Sequence, residues 1–176
     1  MNFPVNYLGL NFRLVDEQDA PFILNLRTHK KLAKYISFTD ESLDNQIRWI
    51  QNYKLREANG EEYYILFEDE IGEPLGVVRM YHIVGDTFTA GSWLVKPDCG
   101  ELIALISDLF VLELSFNEMK MKKCLIDVRK QNKKILRYHQ KFFRQIGEDE
   151  DNFYMEMDVE AYHKKRMFLK SILTAI

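Results

Sequence analysis

Residues 127–143 read DVRKQNKKILRYHQKFF and follow the apolar run Cys-Leu-Ile at positions 124–126. Such an apolar run predicts a buried strand, and the charged residues after it predict a turn. Asn132 is a favourable residue to begin a helix, and the spacing of Ile135 and His139 places both on one face of that helix. The stretch therefore predicts a strand, a turn and a helix in succession, with His139 facing inward.

The composition is that of a globular domain. Of the 176 residues, 47% are hydrophobic and 29% are charged, a balance that argues against disorder. No linker, repeat or low-complexity tract divides the chain, so we expect one domain over residues 1–176. The formal net charge of −3 argues against non-specific binding of nucleic acid.

The cysteines and the apolar segments bear on the expected compartment. Cys99 and Cys124 lack the spacing of a zinc site or a disulfide framework, which favours a reducing cytoplasm and no metal. The first residues lack the pattern of a signal peptide. The longest apolar run, residues 102–116, is interrupted by polar side chains and is too short to span a bilayer. We expect a cytoplasmic protein that does not bind a membrane.

The rest of the chain contains further strand and helix signals. Turn residues separate three consecutive strand-like runs and indicate an antiparallel meander. A meander followed by alternating strands and helices is typical of a layered α+β fold. Strands are predicted at residues 10–15, 63–68, 75–82, 88–95 and 124–128 and in a final hairpin, and helices are predicted from Asp19 and at 43–59, 102–119, 132–142 and 159–176.

This order of elements resembles the GNAT acyltransferases (Gcn5-related N-acetyltransferases) over residues 10–166. Members of that family commonly carry Asn-x-x-(small or apolar)-x-x-x-Tyr-x-Lys-x-Gly-Phe after a strand. With the usual Gly absent before the last residue, the matching positions are Asn132, Ile135, His139, Lys141 and Phe143. Arg27, Trp49 and residues 146–149 are similar to the branch of nucleotide-aminosugar and ribosomal-protein acetyltransferases.

One family motif is incomplete in this chain. GNAT enzymes carry Val-x-Pro and then (Gln/Arg)-x-x-Gly-x-(Gly/Ala), a loop that binds the pyrophosphate of acyl-CoA at a helix N-terminus. Val95 and Pro97 match the first part. The following loop lacks the Gln or Arg, and Leu102 stands at a Gly position. Backbone N–H groups come from any residue, so the resemblance still implies binding here.

The resemblance implies a GNAT fold, which is a three-layer α/β/α sandwich with a mixed central sheet, and acetyl-CoA as co-substrate without a metal. The thioester is expected beside residues 91–95, where two adjacent parallel strands separate. Trp93 either helps to shape the cleft there or is simply an aromatic residue of the core. The expected cofactor-binding residues are Trp93, Leu94, Val95, Gly100, Glu101, Leu102, Ala104 and Asn132.

Four residues are candidates for acid–base chemistry. His139 stands at the family's Tyr position, and a histidine of near-neutral pKa can protonate a leaving thiolate. The alternatives are that His139 is a packed core residue, or that Tyr138 takes this role on a rotated helix. Glu68 and His82 are the candidate bases for the acceptor amine, although each is more simply an ordinary edge residue.

The acceptor is expected to be a primary amine on a small molecule, and the preferred candidate is a nucleotide-linked amino sugar. Arg27, Tyr35, Arg79 and Tyr81 are the candidate contacts, with surface pairing and packing as the alternative. The basic residues at 129–137 either neutralise CoA phosphates or form a solvated helix face. Two other functions stay open: acetylation of protein N-termini or ribosomal proteins, and a CoA-binding module without turnover. A homodimer also stays open.

Overall fold

The structure, a computed structural model, describes residues 2–174 and is built on one eight-stranded sheet. The strands are β1 (Val5–Tyr7), β2 (Leu10–Leu14), β3 (Tyr63–Glu68), β4 (Pro74–Val84), β5 (Thr87–Val95), β6 (Lys123–Arg129), β7 (Arg144–Glu148) and β8 (Asn152–Asp158). Their order in the sheet is β1-β2-β3-β4-β5-β6-β8-β7. Neighbouring strands are antiparallel except for β5 and β6, which are parallel within the described part of the chain.

Five α-helices accompany the sheet in the described residues, and polar side chains begin three of them. Ser42, Asn132 and Asp158 each accept a hydrogen bond from a first-turn backbone N–H. None of the helices within residues 2–174 has the length and apolar character needed to cross a membrane. The helices are α1 (Ala20–Thr28), α2 (Leu43–Ala58), α3 (Glu101–Glu113), α4 (Lys133–His139) and α5 (Val159–Leu173).

The helices cover both faces of the sheet, as expected for three layers. Strand alternation sends Val77 to one face and Val78 to the other. The first face packs against α1 and α2, with Ile23 and Ile50 in its core. The second face packs against α3 and α5, and there Phe110 stacks on Phe12 with ring centroids 3.7 Å apart.

Element boundaries differ from the sequence predictions at a few places. The three-residue strand β1 was not predicted, because it is too short to show alternation. The helix predicted at 132–142 ends at His139, whose carbonyl accepts hydrogen bonds from the N–H groups of Phe142 and Phe143 in a tight turn. The helix predicted at 102–119 continues beyond α3 as a π-helical turn, Leu114–Glu118. Residues 175–176 of the last predicted helix lie outside the described residues.

Candidate active site

A cleft opens where β5 and β6 stop pairing. Their ladder contains three residue pairs, the last of which joins Thr89 to Leu125. Beyond that pair the strands separate, and the space between them is a cleft of about 940 Å³. Five of the residues 31–37, which follow α1, line one end of the cleft, and Ala104 and Asp108 of α3 line the other. Because these helices lie on opposite faces, the cleft passes through the sheet.

A β-bulge shapes the wall of this cleft. Val77 pairs with Leu94 and Arg79 pairs with Gly91, so two steps along β4 face three along β5. Within the longer segment Ser92 adopts φ +46°, in the left-handed region. A bulge takes its extra residue out of the hydrogen-bond ladder. Ser92 and Trp93, the residues of this longer segment, both line the cleft, so the irregular part of the β4–β5 ladder lies at the cleft wall.

The residues expected to bind the cofactor divide into two groups. Trp93, Leu94, Val95, Ala104 and Asn132 line the cleft. The Trp93 indole N–H donates to Ser107 Oγ at 3.0 Å, so this side chain is both packed and part of the wall. The other group, at the start of α3, is Gly100, Glu101 and Leu102.

The first turn of α3 is not capped by a side chain. Gly100 precedes it with φ +84°, a conformation that glycine adopts without strain. Leu102, which the resemblance places at a glycine position, is 37% exposed and is not among the described residues that line the cleft. Glu101 forms an ion pair with Lys134 of α4 at 2.8 Å, but both side chains are exposed and the pair is easily broken.

The residues expected to contact the acceptor lie around the cleft and a second, polar pocket of about 300 Å³. Tyr35 and Tyr81 line the cleft, Arg27 lines the polar pocket, and Arg79 lines both. Arg27 donates hydrogen bonds to Thr39 at 2.8 Å, to Ser37 at 3.1 Å and to Ser92 at 3.4 Å. The structure thus brings all four residues together.

Arg79 is more constrained than a surface residue. Its guanidinium lies 4.9 Å from the Trp49 ring centroid and 4.7 Å from that of Tyr81. It also forms an ion pair with the buried Glu62, which holds a second arginine, Arg56, at 2.8 Å. Burial raises the pKa of Glu62, but hydrogen bonds from the two arginines outweigh it and lower the pKa overall.

The polar pocket contains residues that the sequence analysis did not select. Tyr64 is 2% exposed, and its hydroxyl has no hydrogen-bond partner within residues 2–174. Burial raises the pKa of Tyr64 to about 12. The buried Gln46 lines the same pocket, as does Phe38, a residue that is 94% exposed. Tyr64 was missed because it belongs to an apolar run that predicts only a strand.

Comparison with known proteins identifies this arrangement. A profile described as Acetyltransferase (GNAT) domain matches residues 10–142, which is most of the chain. The chain belongs to the GNAT acetyltransferase family. It is therefore an N-acetyltransferase with the fold class that the sequence predicted. GNAT acetyltransferases use acetyl-CoA as acyl donor.

Individual GNAT proteins support the assignment. The structure of apo FdhC, a nucleotide-linked sugar GNAT, is 33% identical, covers 98% of this chain and 99% of its own, and superposes with a TM-score of 0.86. Acetyltransferase PseH of Campylobacter jejuni subsp. jejuni serotype O:23/36 (strain 81-176) is 22% identical over 146 residues, 82% of this chain and 89% of PseH. The ribosomal-protein-S5-alanine acetyltransferase of Vibrio fischeri shares the fold, with 15% identity, coverage of 89% and 97%, and a TM-score of 0.75.

His139, which the resemblance places at the tyrosine position of the GNAT family, is packed in the interior and lacks the near-neutral pKa that the acid role would need. The ring lines the cleft and packs among Trp93, Tyr138 and Phe143 with centroid distances of 5.1–6.1 Å. Only 7% of the residue is exposed. Burial, and then the charge of Lys165, lower its pKa to about 3. The imidazole is consequently neutral at physiological pH, so it is not an imidazolium acid.

The other three acid–base candidates are not brought to the cleft of this GNAT fold. The Tyr138 hydroxyl donates to Asp108, and burial raises its pKa well above the usual range. Glu68 lies beside Pro74 at the far end of β4 and forms an ion pair with Arg13 at 3.1 Å. His82 is exposed beside a bulge at the end of β4. None of the three is among the described residues that line the cleft.

The buried histidine predicts a specific acid sensitivity. Unfolded His139 takes up a proton near its ordinary pKa of about 6.5, whereas the folded protein excludes that proton down to about 3. The free energy of unfolding should therefore fall as the pH drops below about 6.5. The expected loss is about 2 kcal/mol by pH 5, since each pH unit contributes about 1.4 kcal/mol.

Urea denaturation of wild type and His139→Gln at pH 5–8 measures this slope. The variant should lack the loss between pH 6.5 and 5, and His163→Gln, which changes an exposed histidine, should retain it. Equal slopes in wild type and His139→Gln would show that His139 takes up its proton in the folded state.

Proposed function

We propose that this GNAT enzyme transfers an acetyl group from acetyl-CoA to a primary amine of a nucleotide-linked amino sugar, as one cytoplasmic domain. The observation that carries the proposal is the cleft, which opens on both faces of the sheet and meets the polar pocket at Ser92. A donor on the α3 and α4 side and an acceptor on the other side would meet at the β5 bulge, so the two reacting groups would be held in position.

The residues on the α3 and α4 side fit acetyl-CoA. The uncapped first turn of α3 has free backbone N–H groups, and a helix N-terminus favours a pyrophosphate. Lys133 and Lys134 at the start of α4 line the same cleft and supply positive charge for phosphates. The separated edges of β5 and β6 can pair with the amides of a pantetheine arm as with an added strand.

The geometry supports direct transfer. As the amine attacks, the carbonyl oxygen of the thioester gains negative charge, which main-chain N–H groups of the bulge at residues 92 and 93 would stabilise. The C–S bond then breaks and the electron pair passes to sulfur. The neutral His139 ring, which lines the cleft, would donate a hydrogen bond to that sulfur. Water takes the proton lost by the amine, since Glu68 and His82 lie outside the cleft.

The acceptor side favours a sugar nucleotide over a polyamine. Hydroxyl and amide groups dominate the polar pocket, and the carboxylate among its described residues, Asp40, already accepts hydrogen bonds from Ser42 and Asn45. A polyamine would need free carboxylates for its ammonium groups. Arg27 and Arg79 instead supply positive charge suited to a diphosphate. The likeness to FdhC, at 33% identity, also supports a nucleotide-linked sugar.

The test is a rate comparison among amines. Release of free CoA thiol is measured with dTDP- and UDP-linked amino hexoses, the free amino hexoses, spermidine and a peptide with N-terminal alanine. We expect kcat/KM to be highest, by about 100-fold or more, for a nucleotide-linked amino sugar, a difference of about 2.7 kcal/mol. Faster turnover of spermidine or the peptide would contradict the proposal. Binding of acetyl-CoA without turnover of any amine would indicate a binding module.

Arg27 provides a sharper test of the acceptor site. Arg27→Met should raise the KM for the nucleotide sugar by about 10–100-fold, because a hydrogen bond to a charged group contributes about 1.5–3 kcal/mol. The affinity for acetyl-CoA, measured by calorimetry, should stay within about 2-fold of wild type. Lys30→Met removes a neighbouring exposed cation that does not line the pocket and serves as the control. An unchanged acceptor KM in Arg27→Met would place the acceptor elsewhere.

A further inference from the structure

Tyr64 of β3 carries a buried hydroxyl that forms no hydrogen bond within residues 2–174. The residue is 2% exposed, and its ring packs edge-on against Trp49 and Tyr53 at centroid distances of 5.8 and 6.0 Å. A buried hydroxyl without a partner costs stability, so native proteins rarely keep one. The hydroxyl of Tyr64 therefore calls for an explanation.

This side chain lines the polar pocket together with two arginines, Arg27 and Arg79. Burial raises the pKa of Tyr64 to about 12, while the charges of Arg27 and Arg79 act to lower it. The phenol consequently keeps its proton at physiological pH and is available as a donor. A guanidinium group contains only donors, so neither arginine can accept that proton. What Tyr64 lacks is a hydrogen-bond acceptor.

The surroundings of the pocket carry more positive than negative charge. Arg27 donates to three hydroxyl groups, which are uncharged. Arg79 shares the single carboxylate of Glu62 with Arg56. Asp40 supplies the carboxylate among the described pocket residues, and it already accepts two hydrogen bonds. Three guanidinium groups thus accompany two carboxylates, and the pocket favours an anion.

A phosphate group supplies both an acceptor and a negative charge. Its oxygens can accept the Tyr64 hydrogen bond and pair with the guanidinium groups of Arg27 and Arg79. A sugar hydroxyl would satisfy Tyr64 but would leave the positive charge unbalanced. The pocket, at about 300 Å³, is at the lower end of the range for ligand sites, so it suits one part of a sugar nucleotide rather than the whole molecule.

We propose that the polar pocket binds the diphosphate of the sugar nucleotide, with the hydroxyl of Tyr64 donating a hydrogen bond to a phosphate oxygen. The inference rests on the proposed function, which supplies the nucleotide-linked acceptor. In such a molecule the sugar ring is attached directly to the diphosphate. A diphosphate in the pocket therefore leaves the ring at the junction with the cleft, where Ser92 and Arg79 line both spaces. That junction lies at the β5 bulge, where the thioester is expected.

Calorimetric titration of dTDP and UDP into wild type and Tyr64→Phe measures this hydrogen bond. Saturating acetyl-CoA is present throughout, so that the sites for the CoA phosphates are occupied. The nucleotide that wild type prefers should bind Tyr64→Phe about 10–100-fold more weakly, because a hydrogen bond to a charged group is lost. The KM for the corresponding nucleotide-linked amino hexose should rise by a similar factor. Thymidine and uridine, which lack phosphate, should show no difference between the two proteins.

Tyr162→Phe is the matched control. Tyr162 is 1% exposed, and its hydroxyl is likewise buried without a partner in the described residues. It stacks on Phe116 in the core and is not among the described residues that line the pocket or the cleft. Tyr162→Phe should bind the nucleotide as wild type does. Neither substitution removes a hydrogen bond of the free protein, so both variants should fold, with urea midpoints no lower than that of wild type.

Three results would overturn the inference. The first is unchanged affinity for the nucleoside diphosphate in Tyr64→Phe. The second is an equal loss of turnover with the free amino hexose, which would place Tyr64 at the sugar. The third needs no variant: wild type would bind the nucleoside as tightly as the nucleoside diphosphate. Each leaves turnover of the nucleotide-linked amino sugar intact, whereas absence of that turnover in wild type would contradict the proposed function instead.

Discussion

Ala104→Trp is expected to lower the affinity for acetyl-CoA by about 100-fold or more, a loss of about 2.7 kcal/mol. Ala104 lies in the first turn of α3, and its half-buried side chain lines the cleft. An indole there would occupy the space proposed for the pantetheine arm. Because this position faces the cleft rather than the core, the variant should fold, and its free energy of unfolding should stay close to that of wild type.

Calorimetric titration of acetyl-CoA into the folded variant measures this loss. Ala58→Trp serves as the matched control, since Ala58 is an exposed helical alanine at the end of α2 and outside the cleft. It should bind acetyl-CoA normally. Wild-type affinity in Ala104→Trp would mean that the donor does not enter between β5 and β6.

Gly76→Ala is expected to lower the free energy of unfolding by about 3 kcal/mol, the upper range for an overpacked core. A Cβ at Gly76 would overlap the ring of Phe67 and the carbonyl oxygen of Leu94. The Leu94 oxygen belongs to the backbone and cannot rotate away, so β4 and β5 would have to separate. Because Gly76 pairs with Val95, which lines the cleft, acetyl-CoA affinity should fall as well.

Urea denaturation and calorimetry of the same preparations test both effects. Gly147→Ala on β7 is the control, because a Cβ there would meet Tyr154 at 3.7 Å, an ordinary contact. Its stability should change by less than about 1 kcal/mol. Equal stabilities of the two variants would show that the β4–β5 pairing is more adaptable than the packing at Gly76 implies.

The fold was predictable because long periodic segments and their turns specify it. The meander at β3, β4 and β5, the strand β6 and the five helices all follow from alternation, apolar spacing and capping residues. The same alternation correctly placed Arg79 and Tyr81 side by side. What the pattern could not show was β1, whose three residues are held by pairing with β2 rather than by their own periodicity.

The part of the site that is formed by the ends of strands was predictable from the sequence. The properties that depend on how deeply a side chain is buried were not. The separation of two parallel strands beside residues 91–95 followed from the family resemblance and is observed. The lowered pKa of His139 could not be predicted, because burial is its main cause and cannot be inferred from spacing. The ion pair of Glu68 with Arg13 could not be predicted, because Arg13 lies on the neighbouring strand β2 but is distant along the chain.

The remaining omissions have one physical cause, which is contact between residues far apart in the chain. Asp108 and Lys165 belong to different helices, and each lies in a stretch where one charged residue looks like part of a solvated face. Tyr64 of β3 and Gln46 of α2 line the same pocket only in the folded protein. Patterns within a single sequence segment cannot predict such pairs.

The three-pair ladder between β5 and β6 also bears on the lifetime of the protein in a cell. This short ladder is the part of the sheet that connects strands β1–β5 to strands β6–β8, and it contains few backbone hydrogen bonds. A co-substrate that pairs with the edges of both strands would stabilise the connection between β5 and β6 for part of each catalytic cycle. Resistance to proteases would then be greater with acetyl-CoA bound than without it.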